Sequence, residues 1–410
     1  MNMAPKRKGN AQSMGKNEVL GLFQMEGDSQ DSYLEVEEQS LAQLGDVEPD
    51  SNRDAIVTVV SVASVLLIFL ASSVAILQIW SDGSGFTIGG PSAALVSWQN
   101  EYRELTGLDS IGGLDGSGVV VCVVDTGIDL SHPDLENVKL IGWLDTINDL
   151  EEAYDDEGHG TAMSGIIVAD GGLDGSAKGV DLLVAKAIGK DGSGSDETVS
   201  ESVNWCVENG ADIVSLSLGG GQGFGSGFFT TDALEQAVED AMDAGVYIIA
   251  AAGNDGSDDD GDVESPGSVE DVICVGGINR NSEIWAGSSQ GDNDGRLWPN
   301  PILPRSDPDM KPELVAPGNE VPVLMASNLN NEAWWGWSSG TSASTAWVAG
   351  SLALLLENDP NLQRENSQGR EGIEAIKTKI MEFSQMMDGQ TEHDDHYGYG
   401  HIRVDLLISG

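Results

Sequence analysis

Five short apolar runs, Val119–Val124, Leu182–Ala187, Asp212–Leu218, Val246–Ala252 and Val272–Val275, constrain most tightly what this chain can fold into. Each is nearly continuously hydrophobic and rich in Val, Ile or Leu, with no polar alternation. That is the signature of strands buried on both faces. Helical segments separate them, at His159–Ala169, Glu197–Asn209 and Thr231–Ala244. Strands alternating with helices imply an α/β domain in which helices cover both faces of a mostly parallel central sheet. The chain shows no internal repeat.

A different kind of segment precedes this domain. From Ala55 to Trp80 no residue carries a charge, and the run is dominated by Val, Ile and Leu. As a helix it would extend about 39 Å, enough to cross a hydrocarbon layer of about 30 Å with some tilt. Trp80 at its far end suits a headgroup interface. A cleaved signal peptide has a shorter apolar stretch, about 7–15 residues, and a small-residue cleavage site that Ile79-Trp80-Ser81-Asp82 does not provide. A buried core helix is the lesser alternative, since most helices packed on a core keep a polar face and this run has none. The expectation is therefore one transmembrane helix over 55–80. A polar tail, residues 1–54, precedes it and has no apolar periodicity, so it reads as disordered. Five basic residues lie before the span and none between it and Arg103, which places the tail in the cytoplasm and the rest outside the cell membrane. Residues 81–97 read as a linker, Gly/Ser-rich over 81–92, and residues 98–410 as the folded α/β domain.

Charge narrows the partners. The chain has 68 acidic and 19 basic residues, a net of −49, and residues 93–410 alone carry 56 acidic and 14 basic, a net of −42. Nucleic acid is excluded as a partner, because counterion release needs clustered Lys and Arg. Such self-repulsion is relieved by salt, which points to a salty medium and an acidic proteome. Cys122, Cys206 and Cys274 match neither a disulfide framework nor a zinc pattern. Two lie in strand-like runs and one in a helical stretch, so all three read as small buried hydrophobes.

Three fragments carry chemistry. The first strand delivers Asp125, followed by Thr126-Gly127, at the carboxyl end where such sheets collect function. Asp155-Asp156-Glu157-Gly158-His159-Gly160-Thr161 places His159 at a helix start, and Gly340-Thr341-Ser342 places Ser342 just before a helix expected over Thr345–Leu356. A serine there is ordinarily a cap, but the same amides and dipole favour a developing anion. In the order Asp, His, Ser, these fragments resemble the subtilisin-like serine peptidases, or subtilases, peptidase family S8. Ser217-Leu218-Gly219-Gly220 looks like the family's substrate-binding strand, and Ala250-Ala251-Ala252-Gly253-Asn254 like its oxyanion segment, with Asn254 as the side-chain donor. Lys311 through Gly318 is similar to the pre-nucleophile segment, and Tyr397-Gly398-Tyr399-Gly400 to the turn before the last helix. The resemblance implies a subtilisin-like three-layer fold and a membrane-anchored serine endopeptidase. Its triad would be Asp125, His159 and Ser342, and its substrates protein or peptide chains held extended along Ser217–Gly220 and Ala251–Gly253. It implies no cofactor for catalysis, while structural calcium, at the Asp258–Asp262 run, stays open. Oligomeric state is not legible.

The sequence departs from the family at Ala162, where a second His is usual, and at Ala343-Ser344-Thr345-Ala346-Trp347, where Met-Ala-Thr-Pro-His is usual. Gly287-Ser288-Ser289-Gln290-Gly291 fits a nucleophile elbow in letters, but loop residues follow it where a helix is required. His393, Asp394, Asp395, His396 and His401 read as a surface loop and not a metal site. From another class comes the alternative of an inactive surface-displayed binding domain with the same fold.

Overall fold

The computed structural model describes residues 90–218, 232–256, 262–295, 303–327, 333–367 and 369–410. The predicted tail, the span 55–80 and most of the linker lie outside the described residues, as do Gly219 and Gly220. Among the described residues no helix is long and apolar enough to cross a membrane.

Helix α1 (Ala93–Leu105) opens the domain, capped by the Ser92 hydroxyl, which accepts from Leu95 N–H at 3.3 Å. The helix starts at Ala93, four residues before the predicted linker end at 97. Leu95 and Tyr102 are buried, so its inner face belongs to the core. The sheet has β1 (Val120–Asp125), β2 (Leu140–Asp145), β3 (Asp181–Lys186), β4 (Ile213–Leu216), β5 (Tyr247–Ala251), β6 (Ile273–Ile278) and β7 (Leu314–Pro317). Their order is β2-β3-β1-β4-β5-β6-β7, and every neighbouring pair is parallel. The largely apolar strands predicted as doubly buried are so; the edge strand β2, with Ile141 half exposed, carries a weaker signal and was not legible. A short antiparallel hairpin, β8 (Val321–Leu324) and β9 (Trp335–Ser338), stands apart from the sheet.

Helices α2 (His159–Val168), α3 (Asp196–Glu208), α4 (Asp232–Asp243), α5 (Thr341–Asn358), α6 (Arg370–Phe383) and α7 (Val404–Ser409) complete the described elements used below. The α2–α5 pair packs against the sheet as one layer, and the α3–α4 pair as another. Every residue of α5 from Thr341 to Leu356 is buried, because no charge occurs in that run before Glu357. A helix apolar on all sides belongs at the centre of a large domain. Trp347, standing where the family resemblance puts His, is buried against Tyr102 of α1 at 6.1 Å between ring centroids.

One sequence expectation is overturned. Cys122 of β1 and Cys206 of α3 form a disulfide, with Cα atoms 5.9 Å apart across a separation of 84 residues. Both are buried, as expected, but they are not independent small hydrophobes. The crossover that lays α3 over β1 brings them together, and no spacing rule along the chain foresees such a pairing. Cys274 alone is free and buried, in agreement with its reading.

Candidate active site

Chain order and sheet order together make a crevice. After β1 the chain builds β2 and β3 on one side, then returns to lay β4 on the other. Function in such sheets gathers outside the carboxyl ends of the strands at this switch point. Asp125 ends β1, Ser217 follows β4, and Gly253-Asn254 follow β5.

The carboxylate of Asp125 is fully buried and accepts the Thr126 N–H at 2.7 Å. Its two oxygens each lie 2.9 Å from Nδ1 of His159. The imidazole reaches that position because two main chains touch. A Cβ on Gly160 would stand 2.2 Å from the Gly127 carbonyl oxygen, and one on Gly127, whose φ is +120°, would stand 2.0 Å from the Tyr154 carbonyl oxygen. Buried Asp155 fastens the same junction. It accepts from Gly158 N–H at 2.7 Å, Thr161 N–H at 2.8 Å and the Thr126 hydroxyl at 2.9 Å. Burial disfavours the charged imidazole, but Asp125, then Glu157 and Asp155, outweigh it and raise the His159 pKa to about 9. Asp125 engages Nδ1, which leaves Nε2 as the nitrogen for proton exchange on a side chain that is one-third exposed.

Ser342 lies in the first turn of α5, which begins four residues earlier than predicted. First-turn amides lack intrahelical partners and face the positive end of the dipole. Its hydroxyl donates to the Ser217 carbonyl at 3.1 Å, and the Ser217 hydroxyl returns a bond to the Ser342 carbonyl at 3.1 Å. Asn254 is held by the neighbouring residue: its Oδ1 accepts from Thr341 N–H at 2.9 Å and from the Thr341 hydroxyl at 3.1 Å. A backbone N–H can only donate, so the amide orientation is fixed and Nδ2 is the end left to serve a ligand.

The expected substrate wall is partly a closed structure. Ala251 and Ala252 are fully buried. Ala252 N–H donates to Val275 O at 3.0 Å and its carbonyl accepts from Glu264 N–H at 2.9 Å. Gly253 N–H donates to the Thr341 hydroxyl at 3.2 Å, and its carbonyl accepts from Ser289 N–H at 3.1 Å. Main-chain pairing with a ligand is thus left to the β4 side, Ser217-Leu218. Sequence reasoning missed Lys186, whose buried ammonium donates to Thr126 O at 2.6 Å, Ile188 O at 2.9 Å and Asp156 at 2.8 Å. It braces the turn behind Asp125, and only the β1–β3 register, Asp125 opposite Lys186, could have revealed it.

The remaining candidates lie elsewhere. Ser289, the serine of the elbow pattern, is fully buried, its hydroxyl accepts from Asp255 N–H at 3.2 Å, and a loop follows it. The His393–His401 segment is less superficial than predicted. His401 is buried, His393 Nε2 lies 2.9 Å from Pro312 O, and Asp395 accepts from Asn293 at 2.8 Å. Asp262, the described acidic end of the run left open for calcium, is bidentate on Arg305 at 2.8 and 3.0 Å; residues 257–261 lie outside the described residues. Among the described residues no three His, Cys, Asp or Glu side chains are grouped to share an ion.

Comparison with known proteins follows the same outline. The profile of the Subtilase family matches residues 116–400. Serine protease AprX of Bacillus subtilis is 36% identical over 270 residues, covering 61% of this chain and 59% of that protein. The major intracellular serine protease of the same organism is 33% identical, over 65% of this chain and 78% of its own length. Subtilisin DY of Bacillus licheniformis is 31% identical, over 65% and 86%. Among solved structures, a cold-adapted subtilisin-like serine proteinase superposes with a TM-score of 0.51 at 23% identity, over 72% of this chain and 89% of that one, a likeness of fold.

Proposed function

The chain belongs to the subtilase family of serine endopeptidases, and from that premise we propose that it hydrolyses protein or peptide substrates through Asp125, His159 and Ser342, from a membrane anchor at residues 55–80. The observation that carries the reading is the Asp125–His159 pair, with both carboxylate oxygens 2.9 Å from Nδ1. Asp125 fixes the tautomer and stabilises the imidazolium as it forms. For attack, a χ1 rotation would carry the Ser342 hydroxyl off the Ser217 carbonyl toward His159 Nε2. The base then takes its proton during attack on the peptide carbonyl and gives it to the leaving amine. Asn254 Nδ2 and the Ser342 N–H receive the oxyanion. The Ser217 carbonyl, released by that rotation, becomes free to pair with an extended substrate. The family needs no metal for this chemistry, and no step here uses one.

The Cys122–Cys206 disulfide supports a catalytic domain outside the cytoplasm, since such bonds persist in oxidising compartments. The uncharged run 55–80 supports the anchor. A fluorophosphonate probe tests the whole reading. Wild type is expected to label, Ser342→Ala to lose labelling, and Asn254→Ala to lose about 10²–10³ in turnover. A folded wild type that neither labels nor cleaves denatured protein would leave the inactive display domain as the better account. Recovery of the full chain in the aqueous phase after detergent partitioning would remove the anchor.

A further inference from the structure

Resting on the serine-peptidase reading above, we propose that Lys186 and Asp156 are a positioning pair: their ion pair locks the loop that carries the base to the turn that carries the acid, and turnover depends on that lock. Lys186 of β3 stands in register with Asp125 of β1. The two strand ends are joined through the main chain, since the Asp125 carbonyl accepts from Ala187 N–H at 2.9 Å and from Ile188 N–H at 3.2 Å. From there the ammonium spans three segments. It donates to Ile188 O at 2.9 Å where β3 ends, to Thr126 O at 2.6 Å just past the acid, and to Asp156 at 2.8 Å in the loop before the base. Those bonds use all of its protons. The Lys186 side chain has no exposed surface, whereas 29% of the Asp156 side chain is exposed. Parting the two would leave a cation uncompensated away from water, so the ammonium holds the loop as firmly as the loop holds the ammonium.

What the pair restrains is a joint. His159 is the first residue of α2, and the chain enters it through Gly158, whose φ is +107° and whose backbone has little steric restraint of its own. The Gly127–Gly160 contact fixes how closely acid and base approach, but a steric contact resists compression and not separation. Separation is opposed by a closed ring of bonds. The Thr126 hydroxyl accepts from Gly160 N–H at 2.7 Å and donates to Asp155 at 2.9 Å. Asp155 is bonded covalently to Asp156, Asp156 is paired with Lys186, and Lys186 returns to the Thr126 carbonyl. Opening the ring at Asp156 frees the loop from the sheet while the Asp155 bonds remain. A shift of about 1 Å in a reacting group costs up to about 10²-fold in rate, so slack in this ring is read as lost turnover.

The test opens the ring at its partly exposed member. Asp156→Ala and Asp156→Ser withdraw the carboxylate, and Asp156→Asn keeps an acceptor within reach of the ammonium. All are made in the full chain, and active sites are counted by fluorophosphonate labelling carried to completion. Per labelled site, the Ala and Ser variants are expected to lose about tenfold or more in kcat with KM within about twofold of wild type. The Asn variant is expected to keep at least about a third of the wild-type kcat. The proton between His159 Nδ1 and Asp125, followed as a downfield NMR resonance, is expected to move or broaden in the Ala and Ser variants and to hold its place in Asn. A purely structural pair would lower the melting temperature and the labelled fraction while kcat per labelled site stayed at the wild-type value, and that result in either folded variant, Ala or Ser, overturns the inference. Equal loss in all three variants overturns it as well, because the bond to the ammonium would then not govern the rate. Failure of wild type to label removes the peptidase reading and this inference with it.

Discussion

Burial and neighbouring carboxylates pull the His159 proton in opposite directions, and the carboxylates win, raising its pKa to about 9. In the proposed mechanism His159 must be neutral to accept the Ser342 proton. The kcat/KM for a neutral peptide is therefore expected to rise with pH along a limb centred near 9, and Glu157→Gln to move that limb to lower pH. A pH–rate profile at fixed ionic strength checks both, and a wild-type limb below about 7 would contradict the charge balance around the ring. The linkage to folding has the opposite sense. Because the folded pKa lies above the ordinary histidine value of about 6.5, the stabilisation from this pair is complete below that pH and is lost as pH climbs through about 9. At this scale the sequence was informative where candidates sit in contiguous motifs: Asp125, His159, Ser342 and Asn254 were named from short fragments that together resemble one family. The Ser217–Ser342 exchange and the Lys186 brace were not, because each joins residues that only the sheet register brings together.

Elements were legible in proportion to the regularity of their burial. The central strands β1, β3, β4, β5 and β6 announced themselves as uninterrupted apolar runs, while β2, half exposed at the sheet edge, and the hairpin β8–β9, rich in Trp, did not. Helix α5 was foreseen but shortened, because a helix buried on every side has no 3.6-residue contrast to mark its start. The disulfide belongs to this scale too, stapling α3 to the strand that carries Asp125. Closing a loop of 84 residues removes unfolded-state entropy worth about 4–5 kcal/mol in the chain model. Cys122→Ala/Cys206→Ala is expected to lose about 2–5 kcal/mol in urea unfolding, with added reductant affecting wild type and leaving the double variant unchanged. Equal stability of the two would show that the staple contributes nothing.

Over the whole molecule the dominant quantity is charge. Residues 93–410 carry a net of −42, and repulsion on that scale is screened within about 10 Å at 0.1 M salt. The melting temperature is expected to rise with NaCl over the first molar, most steeply at low concentration, where screening changes fastest. A steady fall, followed by calorimetry, would count against a fold adapted to a salty medium. Buried cations answer part of this charge: Lys311 and Lys377 meet Glu313 at 2.7 and 2.9 Å, and all three are fully buried.

The contact of Gly127 with Gly160 has a consequence for how damage to this enzyme would show itself. Where two backbones abut, the spacing between acid and imidazole is dictated by covalent chain geometry, with no side chain as a cushion between them. Lesions in the distant core would then thin the population of native molecules long before they blunted the chemistry of those that remain. Catalytic titre would fall while turnover per labelled site held constant, whereas a methyl group added at either glycine would do the reverse.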